Sequence, residues 1–185
     1  PSPQPLRSSS MTLQPAVASA RAGNVIGGGD WSADRLIPDA VRSWQIGEVL
    51  EVRRPEAVRP WQHVLEPLAG YLILAEKLWV NPELAGAYNF GPSKDEVVTV
   101  KDVIELARKV YSRGTVHYKE NMIGPHEAGL LVLETSKVRH ILGVESSLIL
   151  SQAIEITMEW YRSQTDGFDA RKLCENDISF YEALH

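Results

Sequence analysis

Apolar residues recur along this chain in two rhythms, short runs bounded by glycine or proline and longer stretches that return every three or four positions. Val17–Ala22 is a short run ended by glycine and predicts a buried strand. Leu36, Ile37, Ala40, Val41 and Trp44 follow helical spacing and predict a helix over Arg35–Ile46, capped by Asp34 and stopped at Gly47. Val49–Arg53 alternates as a short strand. Val64, Leu65, Leu68, Tyr71, Leu72, Ala75, Leu78 and Trp79 form the longest helical stripe, expected to pack in the core, with a partner helix as the other use. Ala87–Gly91 is the next strand, closed by Gly91-Pro92.

Beyond Pro92 the balance shifts towards helix. Thr99 with Asp102 forms a capping box ahead of the stripe Val100, Val103, Ile104, Ala107 and Tyr111. Thr115–Tyr118 and Leu130–Leu133 predict short strands, and Ser136–Leu142 and Leu150–Arg162 helices. The second of these turns Ala153, Ile154, Thr157, Trp160 and Tyr161 inward. A last helix is expected from Asp169 to Leu184. Strands alternating with helices give an α/β class, a parallel sheet followed by a smaller, mainly helical part. Residues 1–15 stand apart: Pro1–Ser10 carries three prolines and four serines without periodicity, as a disordered segment or the edge of a truncation would.

Composition narrows the partners. Net charge is −5, with no basic stripe, which speaks against nucleic acid. No apolar run approaches the roughly 20 residues that span a bilayer. Cys174, the one cysteine, permits no internal disulfide and fits a reducing, cytoplasmic compartment.

Four clusters carry candidate chemistry. Arg21-Ala-Gly-Asn-Val-Ile-Gly-Gly-Gly-Asp-Trp31 places Asn24 before three glycines whose backbone can approach a ligand closely; a plain surface turn is the alternative. Arg53-Arg54-Pro55 and Arg59-Pro60-Trp61-Gln62-His63 offer guanidinium forks suited to a pyrophosphate, or else a solvated turn paired with Glu51, Glu56 or Glu66. Tyr88-Asn89-Phe90-Gly91-Pro92 ends a strand with an amide. Gly124-Pro125-His126-Glu127 holds a His-Glu pair without a second pair at ligand spacing, so no zinc site is expected.

In this order, with Asp-Arg-Leu-Ile-Pro-Asp at 34–39, Val-Arg-Pro-Trp-Gln-His-Val-Leu-Glu-Pro-Leu at 58–68, Thr-Ser-Lys at 135–137 and Glu159-Trp160-Tyr161, these elements resemble a known family. It is the nucleotide-sugar epimerases and dehydratases of the extended short-chain dehydrogenase/reductases. The Gly-Gly-Gly-Asp-Trp element points to the CDP-glucose 4,6-dehydratase branch rather than to an epimerase. The resemblance runs from about residue 16 to the C-terminus.

It implies that residues 16–92 are the residual part of a Rossmann-like NAD-binding fold and 93–185 a mainly helical substrate-binding subdomain. It implies a dehydration of CDP-glucose to a 4-keto-6-deoxy sugar, with NAD as the hydride carrier. Asn24 would bind phosphate, Leu36 and Ile37 would pack near the nucleotide base, and Arg59 would grip the pyrophosphate. Asn89 and His126 would make further contacts to the diphosphate, and Gly23 would lie near the nicotinamide. The chain has no Gly-x-x-Gly-x-x-Gly turn and no Tyr-x-x-x-Lys pair. It is therefore expected to be the substrate-binding half, without catalytic residues or NAD binding of its own. An N-terminal NAD-binding half or a homodimer partner would complete it. The alternatives are a catalytically inactive nucleotide-sugar-binding fragment and a structural or interaction role for the exposed sheet edge.

Overall fold

In the computed structural model, residues 15–92, 98–119 and 130–185 are described. β1 (Ala18–Ala22) leads directly into β2 (Asn24–Ile26), and α1 (Leu36–Gln45) follows after the glycines. Next come β3 (Val49–Val52), β4 (Val58–Arg59), β5 (Trp61–His63), α2 (Leu65–Val80) and β6 (Gly86–Phe90). The remaining elements are β7 (Val98–Thr99), α3 (Val100–Tyr111), β8 (Thr115–Tyr118), α4 (Leu150–Thr165) and α5 (Ala170–Glu182). β1 pairs with β6, β2 with β5 and β3 with β8, all parallel, while β4 and β7 pair antiparallel. The architecture is mixed α/β, as the alternation of periods implies.

Two cores form. The larger joins Ile37, Val41 and Trp44 of α1 with Val103, Ile104 and Ala107 of α3 and Ile154, Met158 and Tyr161 of α4. The smaller joins Leu74 of α2, Tyr88 and Phe90 of β6, and Val138 and Leu142. Each draws on residues either side of residue 92. Burying one such aliphatic side chain stabilises the fold by about 1.5–3 kcal/mol. α3 starts as expected: the Asp102 amide donates to Thr99 Oγ1 at 3.1 Å and the Thr99 amide to Asp102 Oδ2 at 3.0 Å.

Several expectations are corrected. β1 is mostly exposed rather than buried, because among the described residues only β6 pairs with it. Asp34 does not cap α1; it turns to φ 60°, and Arg35 stands at the N-cap without a side-chain hydrogen bond. Leu130–Leu133 forms one bridge, Leu130 to Val58, because β4 ends at Arg59 and the Pro60 that follows has no N–H to extend a ladder. Ser136–Leu142 is helical but closes over Val138–Leu142 as a π-turn. The largest change is in α2. Its buried face is Glu66, Pro67, Gly70 and Leu74, whereas Leu68, Leu72 and Trp79 of the expected core stripe are exposed at 47, 73 and 89 %.

Candidate functional site

The parallel pair β2–β5 sets Asn24 opposite Trp61, and the Asn24 amide donates to the Pro60 carbonyl at 2.8 Å. Arg59, one residue before that proline, and the first turn of α1 close around the same space. The result is a cavity of about 240 Å³ lined by Asn24, Leu36, Ile37 and Arg59, with Asp30 and Asp34. Four residues singled out in the sequence thus meet on one cavity, although 35 positions separate Asn24 from Arg59. Arg59 is oriented by its own Nη1, which donates to the Val58 carbonyl at 2.9 Å.

The failure of Asp34 to cap α1 has a chemical result. The first N–H groups of a helix have no partner within the helix and carry its positive end. Arg35 gives them no side-chain cap, Pro38 at the third helical position has no N–H, and Leu36 and Ile37 border the cavity. Unfilled amides, an amide side chain and a guanidinium therefore share one opening, a donor set that suits phosphate oxygens. Asp30 and Asp34 bring acceptors that suit hydroxyl groups. Burial pushes the Asp30 carboxyl up, but hydrogen bonds from Ser32 and the charges of Arg35 and Arg42 outweigh it and hold Asp30 below its ordinary value.

The glycines of the loop serve packing before they serve any ligand. A Cβ on Gly28 would lie 2.1 Å from the ring of Trp160, and one on Gly27 would lie 2.7 Å from Val64. The loop lies against α4, where the Tyr161 hydroxyl donates to the Asp30 carbonyl at 2.6 Å. Close backbone approach was expected towards a ligand; it occurs towards an indole.

Other residues lie apart. Asn89 sits on β6 and its Nδ2 donates to the Glu134 carbonyl at 3.2 Å, away from the cavity. His126, with Gly124–Glu127, lies outside the described residues. The arginine-rich turn is not simply solvated: Trp61, Gln62 and His63 are all buried. Of its expected carboxylate partners, Glu51 bonds Lys119 at 2.6 Å. Glu66 is buried and accepts from the amides of Ser147 at 2.9 Å and Leu148 at 2.7 Å and from the Tyr181 hydroxyl at 3.1 Å. No pattern in the sequence marks this carboxylate as an anchor for α5.

The described glycines do not form a dinucleotide cradle. A Cβ on Gly23 would lie 2.4 Å from the Pro60 carbonyl, so the neighbouring chain passes close to this glycine. The Gly27–Gly29 turn does not open a helix; α1 begins seven residues further on, at Leu36. A dinucleotide cradle needs both.

No helix among the described residues is long and apolar enough to cross a membrane. No family model matches the chain. It is 36% identical over 166 residues to CDP-glucose 4,6-dehydratase of Salmonella typhimurium, covering 89% of this chain and 46% of that enzyme. Among solved structures, MoeE5 with UDP-glucuronic acid and NAD superposes at TM-score 0.68 and 20% identity, over 80% of this chain and 48% of that one. The dTDP-glucose 4,6-dehydratase of Bacillus anthracis with NAD gives 0.64 and 18%, over 85% and 47%. The UDP-glucuronic acid 4-epimerase of Bacillus cereus gives 0.68 and 14%, over 80% and 46%. The chain is a homologue of CDP-glucose 4,6-dehydratase with the Rossmann-type fold of the nucleotide-sugar dehydratases and epimerases, and it spans a little under half the length of that relative.

Proposed function

We propose that this chain is the nucleotide-sugar-binding half of a CDP-glucose 4,6-dehydratase. The observation that carries this is the convergence of Arg59, Asn24 and the uncapped start of α1 on one cavity. Arg59 and the α1 amides bind the pyrophosphate, Asn24 bonds a phosphate oxygen, and Leu36 and Ile37 flank the base. The carboxylates of Asp30 and Asp34 accept from sugar or ribose hydroxyls. Asn89 and His126 as diphosphate contacts rest on the family resemblance alone. A saturation-transfer NMR screen of CDP-, dTDP-, UDP- and GDP-glucose tests the assignment. CDP-glucose is expected to give the strongest transfer, and preference for another nucleotide overturns it.

NAD and hydride transfer we assign to the part of the dehydratase relative that this chain does not align with. Purified chain with NAD and CDP-glucose is expected to yield no 4-keto-6-deoxy product; sustained turnover would contradict the assignment of roles.

The outer face of α2 supports this incompleteness. Leu68, Leu72, Ala75 and Trp79, spaced by four, three and four, form an exposed apolar stripe. Beside it β1 has one edge paired and its middle residues exposed. Parallel strands are normally covered on both faces, and open apolar edges recruit partners. The occupant we assign is the NAD-binding half, which brings a parallel strand to β1 and a helix to α2. Co-expression with the remaining part of the Salmonella relative tests this. The wild-type chain is expected to co-purify with that part, and Leu72→Glu or Trp79→Glu to abolish association without changing the thermal midpoint of the chain alone. Retained association in both variants, or pairing of two copies of this chain through the stripe, overturns it.

A further inference from the structure

Gly27, Asp30, Asp34 and Arg35 line the cavity, and the segment 27–35 that carries them is neither strand nor helix. No ladder of its own dictates its position, and such segments open readily unless tied down. It is tied from behind at consecutive carbonyls. The Tyr161 hydroxyl on α4 donates to the Asp30 carbonyl at 2.6 Å and reaches that of Gly27 at 3.4 Å. Arg42 on α1 donates through Nη1 to the Trp31 carbonyl at 2.9 Å and through Nη2 to that of Ser32 at 3.0 Å, and also pairs with Asp39. The Trp31 ring meets that of Tyr161 edge to face at 5.1 Å. Neither Tyr161 nor Arg42 lines the cavity.

We propose that Tyr161 and Arg42 are positioning residues that set the shape of the cavity by fixing the carbonyls of Asp30, Trp31 and Ser32 from two different helices. With its backbone so held, the loop presents the Asp30 carboxylate to the cavity, and that carboxylate is itself braced by the Ser32 amide at 2.9 Å. The assignment of a ligand to this wall rests on the cavity being the nucleotide-sugar site.

Hydrogen exchange of the ligand-free chain, paired with calorimetric titration of CDP-glucose, tests both parts. In Tyr161→Phe and in Arg42→Gln, exchange over residues 27–35 is expected to accelerate roughly tenfold while the centres of α3 and α4 hold their wild-type rates. Affinity for CDP-glucose is expected to fall roughly two- to tenfold in each variant, with Arg42→Lys recovering part of the loss. Unchanged loop exchange, an increase spread evenly over the chain, or a loosened loop with wild-type affinity overturns the proposal. If the wild-type chain binds no CDP-glucose, the functional reading fails, and the exchange rates still decide whether these side chains hold the loop.

Discussion

Gly28 and Trp160 are in such close contact that a methyl group on the glycine would fall 2.1 Å from the indole Cγ. The ring belongs to the larger core and is 3 % exposed, so it cannot swing aside into solvent. Gly28→Ala therefore overpacks a filled site and is expected to destabilise the chain by about 1–3 kcal/mol. Chemical denaturation of the two proteins checks this. A loss below a few tenths of a kcal/mol would mean that the loop adjusts without cost.

His63 makes acid a threat to the fold. It is 1 % exposed, its Nδ1 accepts weakly from the Leu65 amide at 3.4 Å, and its Nε2 has no hydrogen-bond partner among the described residues. Burial pushes its pKa down to about 4. The unfolded chain takes up a proton near pH 6.5 and the folded chain only near 4, so stability is undiminished above pH 6.5, falls between the two values and levels off below. The full loss is about 3 kcal/mol. Urea midpoints at pH 7.5 and 5 for wild type and His63→Gln check it. The variant should lose the part of the slope that belongs to residue 63, and identical slopes would refute the assignment.

Asp177 works in the opposite sense. Burial, then the charge of Glu159 across the α4–α5 contact, pushes its pKa up to about 6. An ionised Asp177 costs stability above pH 6, and the cost is relieved as the pH falls from about 6 towards the ordinary carboxyl value. Asp177→Asn is expected to stabilise the chain at pH 7.5 and to give no gain at pH 4. The group is only half-buried, so solvent screening holds the gain to about 1 kcal/mol. A variant less stable than wild type at pH 7.5 would show that the carboxylate has a favourable role there.

The sequence was most legible where a side chain's burial follows its polarity. α3 buries Val103, Ile104, Ala107 and Tyr111 of its expected stripe but leaves Val100 half-buried, and α4 buries all five expected positions together with Leu150 and Met158. α2 misleads because its inward face is marked by Glu66 and Gly70. The ring of Phe90 occupies the place of a Cβ at position 70, 2.4 Å away, and the Glu66 carboxylate caps backbone amides of the loop before α4. β4 and β5 are two and three residues long, too short to carry a period, and Arg59 hides the buried run that follows it. Asn24, Leu36, Ile37 and Arg59 were legible through family resemblance, and they share a cavity. Tyr161 and Arg42 were not, since donors to backbone carbonyls leave no pattern in a sequence.

The proposed seat for a nucleotide diphosphate sugar between Arg59 and Asn24 is tested most directly by calorimetric titration of CDP-glucose into wild type and Arg59→Ala. Loss of a charge-assisted contact of about 1.5–3 kcal/mol is expected to weaken binding roughly ten- to a hundredfold. Arg59→Lys is expected to recover only part, because an ammonium cannot reproduce the guanidinium fork. Arg171, whose side chain is 88% exposed on α5, is the control, and Arg171→Ala should bind as wild type does. Equal affinity for wild type and Arg59→Ala would rule out Arg59 as the ligand of the pyrophosphate.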